Sequence, residues 1–171
     1  TMPANGIGSA ISTIVGQNIG AGQQERADKA YHYALRMGAL FLLFFGLILS
    51  RRFISQAMVT FFSTDERVIP LATDFLSLMA FWCWSNAFYN VTQGLFQGSG
   101  HTMITMIVDA SRIWIFRLLT LWVCANVLNM GVESVWYAVV ISNGTSAAIL
   151  FALYWTGIWK KSTIKIEKTE S

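Results

Sequence analysis

Charge is scarce in this chain: 12% of its 171 residues are Asp, Glu, Lys or Arg, about half of the roughly 25% usual in a soluble domain. With 54% hydrophobic residues, 14% aromatic residues and a mean hydropathy of +0.50, the deficit points to a membrane chain. The few basic residues are not gathered on one face with aromatics between them, which argues against a nucleic-acid partner. Cysteine is equally scarce. Cys83 and Cys124 stand alone in apolar segments, with neither metal-ligand spacing nor a disulfide framework, and read as packing residues. Thr1 is no initiator, and no basic segment followed by a short apolar run and a cleavage site opens the chain, so a piece of a longer protein is expected. A catalytic set is also missing. His32 and His101 have no Ser, Cys or carboxylate at a suggestive spacing, and no titratable cluster points to an enzyme.

What is present is a series of five apolar segments. About 20 apolar residues cross a bilayer as a helix, and segments 34–50, 75–97, 103–125 and 135–159 meet that with tilt and interfacial ends. Segment 4–22 is a fifth span, built of Gly, Ala, Ser, Ile and Asn. Segment 53–63, FISQAMVTFFS, is too short to cross and is expected along the outer interface, closed by a turn around Pro70. The expected fold is all-α, a polytopic transmembrane bundle over 1–159 with a polar tail at 160–171. Lys160, Lys161, Lys165 and Lys168 place that tail in the cytoplasm, because basic residues gather there. The loop at 126–134 carries no Lys or Arg and falls outside; Arg51, Arg52 and Arg67 run against the pattern. Tyr154, Trp155 and Trp159 before Lys160 form an aromatic belt followed by a basic anchor.

The stretch VGQNIGAG at 15–22 invites a nucleotide reading, but no Lys-Ser/Thr pair or third glycine in register follows it. A packing reading serves better. Small side chains let backbones approach, as in the spacing Gly16-x-x-x-Gly20, so this helix is expected inside the bundle. Gly20 and Gly22 end it, and Gln23 to Lys29 form a polar loop.

Segment 75–97 carries Asn86, Asn90, Gln93 and Gln97 at helical spacing, a stripe of amides on one face beside Gly94 and Gly98. An amide facing hydrocarbon without a partner is costly. The stripe therefore either bonds neighbouring helices or walls a wet cavity that substrates pass. The next segment holds Asp109, Arg112 and Arg117, ionisable groups expected to face the bundle interior and pair. A structural bridge from Asp109 to Arg112 or Arg117 is one reading. A proton or ion relay is the other, disfavoured because two cations flank one carboxylate.

VGQNIGAGQQERA, FSTDERVIPLATDFL, GLFQGSGHT and IWIFR, in that order, resemble successive signatures of the multidrug and toxic compound extrusion family (MATE). The likeness covers almost the whole chain and takes in Gly16, Gln17, Gly20, Gly22, Gly94, Gly98 and Gly100. It implies one part of a transporter of twelve helices in two lobes. The lysine tail after the fifth span suggests the carboxyl-terminal lobe, helices eight to twelve, with the amino-terminal lobe as missing partner. The implied activity is secondary active efflux of a cationic or amphipathic small molecule against Na⁺ or H⁺, from a bacterial plasma membrane, with membrane lipid around it. No cofactor or metal is implied beyond the coupling ion. Arg117 matches the family's basic position in helix eleven. Asn86 aligns where sodium-coupled members carry a carboxylate, so coupling is expected to rest on carboxylates outside this chain. A lipid-linked precursor flippase and a non-transporting membrane subunit are the alternatives.

Overall fold

In the computed structural model the described residues are 2–62, 64–127, 129 and 131–160, and no strand occurs among them. The tail lysines other than Lys160, and two residues of the 126–134 loop, fall outside that set. The helices are α1 (Met2–Gly20), α2 (Gln24–Leu49), α3 (Arg52–Phe62), α4 (Val68–Trp82), α5 (Ser85–Gly98), α6 (Thr102–Ser111), α7 (Leu118–Asn126) and α8 (Glu133–Trp155). A π-helical stretch, Arg112–Arg117, joins α6 to α7 without a break. Both prolines lie in a first helical turn, Pro3 in α1 and Pro70 in α4, where a missing backbone N–H leaves no bond unmade.

Two helices, α2 and α8, are long and apolar enough to cross a membrane, and α4 with α5 makes a third if the bent pair is one span. The chain is an all-α membrane helix bundle, an integral membrane protein with α5 at its centre. That helix packs most extensively on α1 and also on α8 and α2. The core gathers Ile11 and Val15 of α1, Tyr31 and Leu35 of α2, Val91, Leu95 and Phe96 of α5 and Leu150 of α8, closed at one end by Trp159.

Several boundaries differ from the sequence expectation. The polar stretch after Gly22 is not a loop: α2 begins at Gln24, with Glu25 in its first turn, where a carboxylate suits the positive helix end, and with Ala27 already buried. Gly22 alone makes the turn, at φ 73, a left-handed value that glycine adopts without a Cβ penalty. Residues 53–62 of the segment 53–63 lie in the helix α3, whose Phe53, Phe61 and Phe62 are each more than four-fifths exposed. Segment 75–97 is not one helix. It bends by 49° between α4 and α5. There Cys83, Asn86 and Ala87 bond the carbonyls of Ala80, Cys83 and Trp84, three residues back, so the chain tightens for one turn and changes direction. The bend coincides with α2, where Gly46 lies against the Ala80 carbonyl and Cys83 Sγ bonds the Leu42 carbonyl at 3.1 Å.

Helix α1 is not enclosed on all sides. It buries Ala4, Gly8, Ile11, Val15 and Ile19, while Asn5, Ser9, Thr13 and Gln17 remain exposed. Its small residues serve one close contact, with α5.

Candidate functional site

That contact sets the geometry of the site. A Cβ on Gly94 would run into the carbonyl of Gly8, and one on Gly98 into the carbonyl of Ser12. One on Gly16 would come within 3.3 Å of the Gly98 carbonyl, and one on Gly8 within 2.7 Å of the Asn90 carbonyl. The stripe Gly8, Ser12, Gly16 on α1 therefore meets Asn90, Gly94, Gly98 on α5, residue against residue at intervals of four, as close small-residue packing requires. Of the spaced pair Gly16 and Gly20, only Gly16 lies at this contact: Gly20 faces open space, as does Gly22, and Gln17 is exposed. Gly100, at φ 85, turns the chain from α5 into α6.

Because α1 and α5 approach so closely, the polar residues flanking their seam share one cavity of about 410 Å³. From α5 come Asn86, Asn90, Gln93 and Gln97, so the whole amide stripe lies on one wall. From α1 come Asn5 and Ser9, and from the α6 side Asp109 and Arg112. The amides divide by use. Gln93 Nε2 donates to Asp109 Oδ2 at 2.6 Å, an interhelical bond, and Asn90 Nδ2 donates to the Asn86 carbonyl of its own helix at 2.8 Å. The side-chain amides of Asn86 and Gln97 bond no other described residue and open on the cavity.

Asp109 is the hub. Its carboxylate accepts from the Tyr89 hydroxyl and from Gln93, and pairs with an Arg112 guanidinium nitrogen at 3.1 Å. Arg112 also lies over the Tyr89 ring, 4.4 Å from its centroid, a favourable cation–π placement. Its Nε is buried without a partner among the described residues. The bridge expected from Asp109 thus goes to Arg112 and not to Arg117. Arg117 stands eight residues beyond Asp109, roughly two turns further along the helix axis. It faces α8, with Nε 3.4 Å from Ser142 Oγ and a terminal nitrogen 3.5 Å from Asn143 Oδ1. It takes no part in the cavity wall.

Sequence reasoning missed Tyr89, Asn5 and Ser9. Tyr89 lies three residues after Asn86 and four before Gln93, so helical spacing could have placed it on the stripe; its aromatic ring concealed it. Asn5 and Ser9 are one turn apart, in a segment whose glycines are its more conspicuous feature. The histidines do have partners. His32 has Asp28 one turn before it, with Nε2 to Oδ2 at 3.8 Å, and the Tyr154 hydroxyl is 3.0 Å from its Nε2 and 2.7 Å from Asp28 Oδ1. His101 Nδ1 lies 3.1 Å from Ser99 Oγ at the α5–α6 turn. Both contacts tie helix ends together and lie away from the cavity.

The family model for MatE matches residues 1–123. Among similar proteins, a "Probable multidrug resistance protein NorM" of Thermotoga maritima is 23% identical over 163 residues, covering 95% of this chain and 35% of the relative. Another of that name, from Oceanobacillus iheyensis, is 26% identical over 146 residues, with 85% and 32% covered. "Protein DETOXIFICATION 9" of Arabidopsis thaliana is 26% identical over 163 residues, with 94% and 33% covered. The chain thus spans about a third of the length of these relatives. A model match over most of the chain, on a membrane helix bundle with a polar cavity at its closest helix seam, has one reading: the chain belongs to the MatE family.

Proposed function

We propose that this chain is part of a secondary active exporter that expels amphipathic, cationic compounds while Na⁺ or H⁺ enters, by alternating access between two lobes. The names of the relatives, which speak of multidrug resistance and detoxification, support the efflux part of the reading. The observation that carries it here is the cavity: Asn86 and Gln97 present unengaged amides, and Asn5 and Ser9 face them from an exposed side of α1. Such a wall offers hydrogen bonds of both signs without a fixed geometry, which suits varied substrates. A missing amino-terminal lobe would close it. The coupling ion is assigned to carboxylates outside this chain, because Asp109 is already held by Tyr89, Gln93 and Arg112. The setting proposed is a bacterial plasma membrane with the tail in the cytoplasm.

The test is efflux of a cationic dye such as ethidium from cells that make the complete protein. Asn86→Ala and Gln97→Ala, which remove the unengaged amides, are expected to lower efflux with the amount of protein in the membrane unchanged. Normal efflux from both variants would remove the cavity wall from the transport path.

A further inference from the structure

Away from the cavity, α2 carries two basic residues, Lys29 and Arg36, that find no partner among the described residues. Lys29, Tyr33, Arg36 and Leu40 fall within about 60° of one another at 3.6 residues per turn, and all four are exposed, Tyr33 by 67% and Leu40 by 66%. Met37 and Phe44, exposed by 71% and 62%, continue the apolar surface along the helix. Neither Lys29 nor Arg36 forms an ion pair or side-chain hydrogen bond with any described residue. The acidic groups at this end are otherwise disposed: Asp28 accepts from Tyr154 and faces His32, and Glu25, a turn before Lys29, lies in the first turn of the helix.

Depth makes the arrangement specific. The Lys29 end of α2 lies level with the aromatic belt, since Asp28 bonds Tyr154 and Gln24 Nε2 bonds the Lys160 carbonyl at 3.0 Å. From Arg36 to Leu49 the helix rises roughly 20 Å, whereas the hydrocarbon layer is about 30 Å thick. With Leu49 at the far boundary, the Arg36 backbone lies roughly 10 Å inside the near one. A cation at that depth, on an exposed face of the helix, needs an anion within reach. Helical side chains lean toward the amino terminus, so Arg36 extends along its apolar stem toward Lys29 and the interface.

We propose that Lys29 and Arg36 hold the phosphate of an anionic phospholipid from the leaflet at this end of α2. The guanidinium takes two phosphate oxygens as a fork. Lys29 adds a second charge from the interface, Tyr33 borders the headgroup, and Leu40 and Phe44 lie along an acyl chain. Lipid is the occupant the observations favour, because the basic pair passes directly into an exposed apolar stripe.

The complete protein is to be purified from membranes, equilibrated with vesicles of equal dioleoyl phosphatidylglycerol and dioleoyl phosphatidylcholine, and its retained lipids counted by native mass spectrometry. Wild type is expected to retain phosphatidylglycerol in preference. Arg36→Gln should lower that preference roughly fivefold and Lys29→Gln by less. Arg51→Gln, the same charge loss at the other end of α2, should leave it unchanged. Arg36→Lys keeps the charge without the fork and should fall between, which preserves the test if the Gln variant does not fold. Equal retention of the two lipids by wild type would overturn the proposal. An unmoved preference in Arg36→Gln would do so too, and would assign Arg36 to a carboxylate elsewhere in the protein. Equal losses from Arg36→Gln and Arg51→Gln would reduce the effect to net charge and overturn it as well.

Discussion

Helix α5 buries Ala87, Tyr89, Val91, Thr92, Gly94, Leu95, Phe96 and Gly98, while α4, across a 49° bend, buries only Thr73 and Ala80. Yet α4 is the more apolar of the two, with Leu71, Phe75, Phe81 and Trp82 exposed. In water the order would be reversed, because burial follows hydrophobicity there. Inside a bilayer lipid tails are as apolar as leucine, so bulk gains little by leaving them. What draws a helix inward is instead close backbone approach and polar groups in need of partners. Glycines at 94 and 98 provide the first, and Tyr89, Thr92 and Gln93 the second: Tyr31 and Thr92 share a hydrogen bond at 3.0 Å on the face of α5 away from the cavity.

The contrast can be broken most sharply at the seam. Gly94→Leu forces a branched side chain against the Gly8 backbone, which cannot yield as a side-chain tip would. The expected result is loss of the α1–α5 contact, about 3 kcal/mol or more, seen as loss of monodisperse protein on size exclusion. Arg112→Ala comes next. It leaves the partly buried Asp109 carboxylate without its cation, and a loss of about 1–3 kcal/mol is expected in thermal unfolding in detergent. Arg117→Ala, which removes only two long contacts to α8, should cost under about 1 kcal/mol in the same measurement. If Arg117→Ala proved the more damaging of the two, Asp109 would not be the hub described.

Smaller effects sharpen the same comparison. Gly144→Ala, within α8 and facing open space, is expected to be neutral or stabilising by up to about 1 kcal/mol. The matched change Gly94→Ala is expected to destabilise by about 1–3 kcal/mol. Two glycines in helix interiors would then differ in sign because only one meets a backbone. Least of all, Phe61→Ser on α3 should move the unfolding temperature in detergent very little, within about 0.5 kcal/mol, since 84% of Phe61 is already exposed. A large loss there would mean that α3 packs on something more than α4 and α2.

Much of this is legible in the sequence. The amides at 86, 90, 93 and 97 share a wall because helical period alone puts them on one face. The bend is not legible, because no proline or glycine stands at Cys83-Trp84; it comes from a run of bonds three residues back and from the fit of α2 at Gly46. The glycine stripe lies one turn earlier than its spacing suggests. Small residues occur at 4, 8, 12, 16 and 20 alike, and nothing in their order tells which of them another backbone reaches.

From the sequence by itself came the membrane character, the all-α class, the family and the polar face of α5, since each depends on composition or on a period internal to one segment. Tertiary structure alone decided that Asp109 pairs with Arg112 while Arg117 turns to α8, that Tyr89, Asn5 and Ser9 join the cavity, and that Arg36 is left facing outward. Pairing depends on which faces of neighbouring helices meet, and that depends on a bend and a backbone contact formed only when the segments come together.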